Sequence, residues 1–282
     1  MKFLTFLSLF TAFQLSNPAK ASDFIRADQF VGQFARGAYD YTAQGIGTQR
    51  GYISVFNLNR ELVQTLLPSQ FALSEINGSQ SLYPVIVLWG EMSNSRATFG
   101  IPIPYGLTYH EWQFYIPGVY RKGEPNVLRT YVPRMFVDAF SPEYLGRRFF
   151  YKKIQLGSMP FDINKGMNLE DWGAMRVVAQ ENASYPMATY ASQSPSWPSI
   201  LTFLTLTDIM GEQGDVSPRC SGFAWTYTNS SIIRRSQVAM QINRPLVEGM
   251  DPRLIGTTFT SVASYEVSAW DFHVPYFYDA CP

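Results

Sequence analysis

The sequence predicts a mainly β fold, a barrel or a sandwich with a few short helices. Aromatic residues make up 16% of the chain and 18 prolines interrupt it, a composition that suits a β fold better than a helical bundle. From Tyr83 onwards, short apolar runs follow one another between Gly, Pro, Asn and Ser residues, which is the pattern of successive strands. The predicted strands cover residues 85–89, 107–116, 128–137, 149–156, 237–243 and 257–267.

The N-terminal part predicts a strand and a helix. Residues 22–41 mix apolar and polar side chains at near-helical spacing and fit a short helix or a packed arm. Residues 51–56 form a strand-like run. Residues 59–67 then predict a helix, because Asn59 is a good N-terminal cap and Pro68 stops a helix.

The first 21 residues have the features of a secretory signal peptide. Lys2 supplies a positive start, residues 3–15 are apolar but too few to span a bilayer, and residues 19–21 provide small residues for cleavage. An uncleaved anchor or a buried helix is the alternative. We expect a secreted or periplasmic protein with a single domain over residues 22–282, since we find no repeat or compositional break.

Charge and cysteine content narrow the range of partners. The chain has 22 basic and 22 acidic residues, which does not indicate nucleic acid or, after signal cleavage, a membrane as partner, and favours a small molecule. Whether it forms a homo-oligomer is left open. Cys220 and Cys281 predict a disulfide in an oxidising compartment. The histidines, His110 and His273, do not cluster with them, so we expect no metal site.

Two adjacent lysines, Lys152 and Lys153, close an aromatic run. In a strand, one apolar side is shared by Phe150, Lys152, Ile154 and Leu156, and the other side by Tyr151, Lys153 and Gln155. Desolvation on that side lowers the pKa of Lys152 and makes its amine nucleophilic, and the charge of Lys153 acts in the same direction. The alternative is a pair of lysines at an exposed strand edge, where they discourage aggregation.

Four segments, taken in order, carry a family resemblance. They are Arg50-Gly51-Tyr52 with the helix end Leu66-Leu67-Pro68, Tyr109-His110-Glu111 followed by Ile116-Pro117, Gly146-Arg147 followed by Lys152-Lys153, and Asp271-Phe272-His273-Val274-Pro275-Tyr276. Their order and spacing resemble the acetoacetate decarboxylase family and span most of the mature chain. One departure is Phe149-Phe150-Tyr151, where the family has a glycine, an aromatic residue and a proline before its lysine pair.

The resemblance implies a cone-shaped, largely antiparallel β-barrel around a Schiff-base lysine. It assigns the condensation with a ketone to Lys152 and the lowering of its pKa to Lys153, a mechanism already known for acetoacetate decarboxylase itself. No metal or organic cofactor is needed for this chemistry.

The same resemblance implies the roles of further site residues. Glu111 would move a proton or place the substrate, and Arg50 would receive the carboxylate of a keto acid. Tyr109 and Phe150 would line the substrate pocket.

The leading hypothesis is therefore a Schiff-base lyase that decarboxylates a β-keto acid such as acetoacetate. One alternative keeps Lys152 and its iminium but uses them in an aldolase or dehydratase reaction. Another is an exported, non-catalytic barrel that binds an apolar small molecule.

Overall fold

The structure is a computed structural model. It describes residues 44–75, 81–98, 106–126, 128–143, 154–186, 207–211, 219–223 and 232–275. For residues 44–47, 96–98, 186, 207–211, 219–223 and 268–275 the description covers the backbone alone.

Strands dominate the described ranges, in agreement with the mainly β prediction. The strands are β1 (Gln44–Asn59), β2 (Phe71–Leu73), β3 (Leu82–Thr98), β4 (Leu107–Arg121), β5 (Arg129–Tyr131), β6 (Met135–Val137), β7 (Ile154–Leu156), β8 (Phe161–Asp162), β9 (Gly166–Asn168), β10 (Gly173–Gln180), β11 (Tyr185–Pro186), β12 (Thr207–Gly211), β13 (Arg219–Phe223), β14 (Ile232–Ile242), β15 (Thr258–Thr260) and β16 (Ala263–Pro275). The helical segments in the described ranges are α1 (Arg60–Gln64), residues 140–143 and the 3-10 turns Glu170–Trp172 and Pro252–Leu254.

The described strands form one hydrogen-bonded sheet that curls into a half-barrel. Its main path runs β13-β12-β5-β4-β3-β1-β16-β14-β10-β9-β8. Among the strand pairs in the described ranges, β5–β12 and β6–β7 are parallel and the others are antiparallel. The largely antiparallel architecture that the sequence predicts is therefore confirmed.

Helix α1 begins where the capping residue predicts. The side chain of Asn59 accepts hydrogen bonds from the backbone N–H groups of Glu61 at 2.9 Å and Leu62 at 3.4 Å. The helix is shorter than predicted because the backbone N–H groups of residues 65–67 bond three residues back instead of four. This tightening of the last turn is common where a helix stops before a proline.

The central strands β1, β3 and β4 bury side chains on both faces. We call one side the Tyr52 face, after the residue that stacks on Trp89 with a ring-centroid distance of 4.4 Å. Trp89 in turn contacts the edge of Phe161 on β8. The ring of Phe136, on β6, lies 5.2 Å from that of Trp172. The small strands that follow β7 therefore cover the Tyr52 face.

The hydroxyl of Tyr52 joins three parts of the sheet. It donates to the carbonyl oxygen of Ile163 and receives a hydrogen bond from the side chain of Gln180. The Gln180 amide also donates to Glu266 at 2.8 Å, and Arg234 holds the same carboxylate. Burial raises the pKa of Tyr52, so this phenol keeps its proton as a hydrogen-bond donor.

Two glycines let β1 and β3 approach each other closely. Gly51 and Gly90 are directly paired across these strands. A Cβ atom on Gly51 would lie 2.2 Å from the carbonyl oxygen of Trp89, and one on Gly90 would lie 2.5 Å from that of Arg50. Gly90 also has a φ angle of +149°, which side chains rarely adopt. Both positions therefore require glycine.

We predict that Gly90→Ala destabilises the fold far more than Gly256→Ala. Gly256 also has a positive φ, +73°, but an added Cβ would meet nothing within 4 Å. The Gly256 variant should lose about 1 kcal/mol from backbone strain alone. The Gly90 variant should lose at least about 2 kcal/mol more, because two strands must separate. Urea unfolding measures both, and equal losses would contradict the close approach.

Several predicted features lie outside the described residues. Residues 1–43, Phe150, Lys152, Lys153 and Cys281 are among them, as is the side chain of Cys220. The signal peptide and the disulfide accordingly stay predictions. Within the described ranges, every helix falls short of the length and apolar character that a membrane-spanning helix needs. In the same ranges, no three His, Cys, Asp or Glu residues are grouped so as to hold a metal ion.

Candidate active site

A set of polar side chains lies on the side of the central strands opposite to Tyr52, which we call the Glu111 face. Residues that pair directly across antiparallel strands point to the same face. The polar members of the Glu111 face in β1 and β4 are Gln49, Tyr109, Glu111, Gln113 and Tyr115. Glu111 is 1% exposed. A carboxylate so deep in the sheet is expensive to bury, which makes it a candidate functional group.

The glycine pair lies in the same row of the sheet as Glu111. Glu111 is paired with Gly90, and Gly90 is paired with Gly51. On its other side Glu111 is paired with Val137 of β6. Neither β3 nor β1 therefore places a side chain in the row of Glu111.

Two tyrosines flank Glu111 along β4. The negative charge of Glu111 and burial of the hydroxyls both raise the pKa of Tyr109 and of Tyr115, with burial the larger cause. Tyr115 donates a hydrogen bond to the side-chain oxygen of Gln113, and the Ser95 hydroxyl bonds with Tyr109. Both phenols stay protonated at neutral pH, so the face carries hydrogen-bond donors as well as a carboxylate.

An apolar cluster next to Tyr109 brings β7 to this face. Met135, Val137 and Ile154 pack together and against Tyr109. Ile154 is paired with Met135 and is buried, whereas the next residue, Gln155, accepts a hydrogen bond from Arg134 at 3.2 Å. At the described end of the predicted strand 149–156, Ile154 lies on the apolar side, as the alternation predicts. The prediction is wrong for Leu156, which should share that side but is 49% exposed at the last position of β7.

Arg50 lies on the other face of the sheet. It is exposed and paired with Glu91, and Glu91 is paired with His110. The resemblance implied that Arg50 and Glu111 share one site, but it is Gly51 that lies in the row of Glu111. The physical reason is strand alternation, which turns neighbouring residues to opposite sides. The carboxylate-binding role of Arg50 stays a prediction.

His110 forms a charged cluster that the sequence did not predict. Its Nδ1 atom lies 2.6 Å from the Oδ2 atom of Asp138, whose Oδ1 atom accepts the backbone N–H of His110 at 2.7 Å. Its Nε2 atom lies 3.9 Å from the Oε2 atom of Glu91. The hydrogen bond to Asp138, followed by the charges of Asp138 and Glu91, raises the pKa of His110. The cluster joins β3, β4 and the end of β6.

Gln49, Gln113 and Tyr115 also escaped the sequence analysis. For the two β4 residues a signal was present, because Tyr109, Glu111, Gln113 and Tyr115 recur at every second position. This is the spacing of one face of a strand. Gln49 offers no such signal, since its position beside Met92 depends on the register between β1 and β3.

Comparison with known proteins finds likenesses in structure but not in sequence. No family model and no curated protein matches the chain. The fold is similar to that of acetoacetate decarboxylase-like enzymes.

Three solved structures illustrate the likeness. Acetoacetate decarboxylase from Legionella pneumophila is 15% identical, with a TM-score of 0.47, over 86% of this chain and 88% of that one. An acetoacetate decarboxylase-like enzyme from Sphingomonas wittichii RW1 is 11% identical, with a TM-score of 0.48, over 84% and 92%. The enduracididine biosynthesis enzyme MppR, complexed with pyruvate, is 9% identical, with a TM-score of 0.46, over 85% and 90%.

We predict that the stability lost in His110→Gln depends on pH. The folded-state pKa of His110 is raised, so its charged pair with Asp138 stabilises the fold fully below the unfolded pKa of about 6.5. That contribution disappears as the pH rises through the folded-state pKa. The variant should therefore lose up to about 1 kcal/mol more at low pH than at high pH, as expected for a partly exposed pair.

Denaturant titrations at about pH 5.5 and about pH 9, on either side of the histidine range, measure this difference. Asp138→Asn should show the same trend, because it removes the charge that faces His110. A loss that does not change with pH would contradict the assignment.

Proposed function

We propose that this protein is a Schiff-base-forming lyase that decarboxylates a β-keto acid such as acetoacetate through an iminium on Lys152. The packing of Ile154 against Tyr109, Met135 and Val137 on the Glu111 face supports the proposal most directly. Lys152 precedes Ile154 by two residues, so their Cα atoms are at most about 7.6 Å apart. Ile154 is paired with Met135, and Met135 is paired with Gln113, two residues along β4 from Glu111. We therefore infer that the amine of Lys152 reaches the Glu111 face from the side of Gln113.

The apolar cluster supplies a reason for Lys152 to be nucleophilic. Met135, Val137 and Ile154 are each no more than 6% exposed, and desolvation favours the neutral amine. A lysine with an unperturbed pKa of about 10.4 needs roughly 4–5 kcal/mol to be neutral at pH 7. The carboxylate of Glu111 opposes this change, and the positive charge of the adjacent Lys153 offsets the carboxylate.

The reaction then follows from an electron sink at the ketone carbon. The amine of Lys152 attacks the carbonyl carbon, and loss of water gives an iminium. The bond to the carboxylate breaks, carbon dioxide leaves, and the electron pair moves into the iminium to give an enamine. Protonation of the enamine carbon restores an iminium, which water hydrolyses to the ketone and free Lys152.

We assign the proton transfers to Glu111. Formation of the iminium requires a proton to reach the departing hydroxyl, and protonation of the enamine requires one at carbon. Tyr109 is a protonated donor on the same face and orients an oxygen atom of the substrate, whereas Tyr115 donates its hydrogen bond to Gln113. Lys153 acts through its charge on the pKa of Lys152. Arg50 lies on the opposite face of the sheet, so we assign it no step.

Borohydride trapping tests the role of Lys152. Acetoacetate with borohydride should convert one lysine to isopropyl-lysine, derived from the acetone iminium, and peptide mass spectrometry should locate it at Lys152. Lys152→Ala should abolish the adduct and the release of carbon dioxide. Lys165→Ala is the matched control, because the Lys165 side chain is 86% exposed, and it should retain both.

The outcomes separate the candidate functions. Adduct formation with release of carbon dioxide supports the decarboxylase. An adduct with a new carbon–carbon bond, and no carbon dioxide, would point to the aldolase alternative. Absence of an adduct at every lysine would contradict both reactions and favour a binding protein.

Glu111→Gln tests the proton transfers separately from the covalent step. We expect kcat to fall by about 10²- to 10⁴-fold, the usual contribution of general acid–base catalysis. Borohydride trapping of added acetone should become slower but reach the same final extent, since Lys152 is unchanged and Glu111 assists formation of the iminium. The control is Glu248→Gln, at an exposed position, which should leave kcat unchanged. If the two variants had equal kcat values, the assignment of the proton transfers to Glu111 would be wrong.

A further inference from the structure

Gln49 carries a buried side-chain amide on the Glu111 face. Its side chain is on β1 and the residue is 2% exposed. Neither its Nε2 nor its Oε1 atom has a partner among the residues that the structure describes. Gln49 is paired with Met92, and Met92 is paired with Tyr109. It therefore lies on the Glu111 face, one row away from Glu111.

Two other glutamines, which have structural roles, form hydrogen bonds through their side chains. Gln64 donates from Nε2 to the carbonyl oxygen of Phe71 at 3.1 Å and accepts the N–H of Leu73 at 3.2 Å. Gln180 donates to both Tyr52 and Glu266. An amide that is buried without partners destabilises a fold. Unlike these residues, Gln49 has an amide that is unsatisfied within the described ranges and destabilises the fold, and it lies on the face that holds the candidate active site.

Gln49 and Glu111 lie on the same face of the sheet in neighbouring rows. Gly51 and Gly90 occupy the row of Glu111 and contribute no side chains to it. From the spacing of strands and of residues along them, the Cα atoms of Gln49 and Glu111 are about 12 Å apart. A ligand that contacts both side chains must therefore extend a few atoms beyond the reacting ketone.

We propose that Gln49 binds a polar group of the substrate that is both a hydrogen-bond donor and an acceptor, an amide or a hydroxyl, remote from the ketone. The side-chain amide has two donor hydrogens and one acceptor oxygen. A carboxylate would satisfy the donors but face the Oε1 atom with a negative charge. The inference rests on the proposed function, in which the substrate is a ketone. It predicts that the preferred substrate is longer than acetoacetate.

The test compares two longer ketones of equal size, 5-oxohexanamide and 6-methylheptan-2-one. Their dissociation constants are measured by titration calorimetry with the full-length protein and with Lys152→Ala, which cannot form an iminium. We expect 5-oxohexanamide to bind about tenfold more tightly, the value of about one satisfied hydrogen-bonding group. Gln49→Met should abolish the preference. Gln241→Met, on β14, should retain it.

Melting temperature distinguishes a binding role from a structural one. Without ligand, Gln49→Met should melt about 2–4 °C higher, because it removes an unsatisfied amide. A lower melting temperature would overturn the proposal, as would equal binding of the two ketones, no binding of either, or a preference that survives in Gln49→Met.

The outcomes also separate Gln49 from the lyase. A preference for the amide without borohydride trapping at Lys152 would refute the lyase and support Gln49. Trapping at Lys152 without a preference for the amide would support the lyase and refute the role of Gln49.

Discussion

The glycine pair between β1 and β3 sets the register on which the rest of the molecule depends. Gly51 and Gly90 allow a backbone approach that a Cβ atom at either position would block. This contact fixes which residues of β1, β3 and β4 share a face. A slip of one residue between β1 and β3 would bring Arg50 to the side of Glu111, because strand alternation has a period of two.

The two faces of the central strands have different physical characters. On the Tyr52 face, buried polar groups are satisfied: the phenol of Tyr52, Gln180 and the Glu266–Arg234 pair form one hydrogen-bonded network. On the Glu111 face, the amide of Gln49 has no partner within the described ranges. The first arrangement stabilises the sheet, whereas the second keeps a polar group available to a ligand at the expense of stability.

His110 and Glu111 show how one strand serves both faces. His110 points to Asp138 and Glu91, and this charged cluster ties β4 to β3 and to the end of β6. Glu111, the next residue, points to the opposite side beside the glycine row. Since β6 is paired with both β4 and β7, the contacts that hold β6 in place also position Ile154.

Local patterns in the sequence determined the strands, the Asn59 cap of α1 and the inward turn of Ile154, because each depends on residues a few positions apart. The polar alternation of β4 belongs with them, although its meaning became clear in the sheet. Tertiary structure decided three other features. It placed Arg50 on the face opposite to Glu111, paired His110 with Asp138, and left the Gln49 amide without a hydrogen-bond partner in the described ranges. Each depends on strand register between segments distant in sequence, and that register arises from backbone contacts such as the glycine pair, which no local pattern specifies.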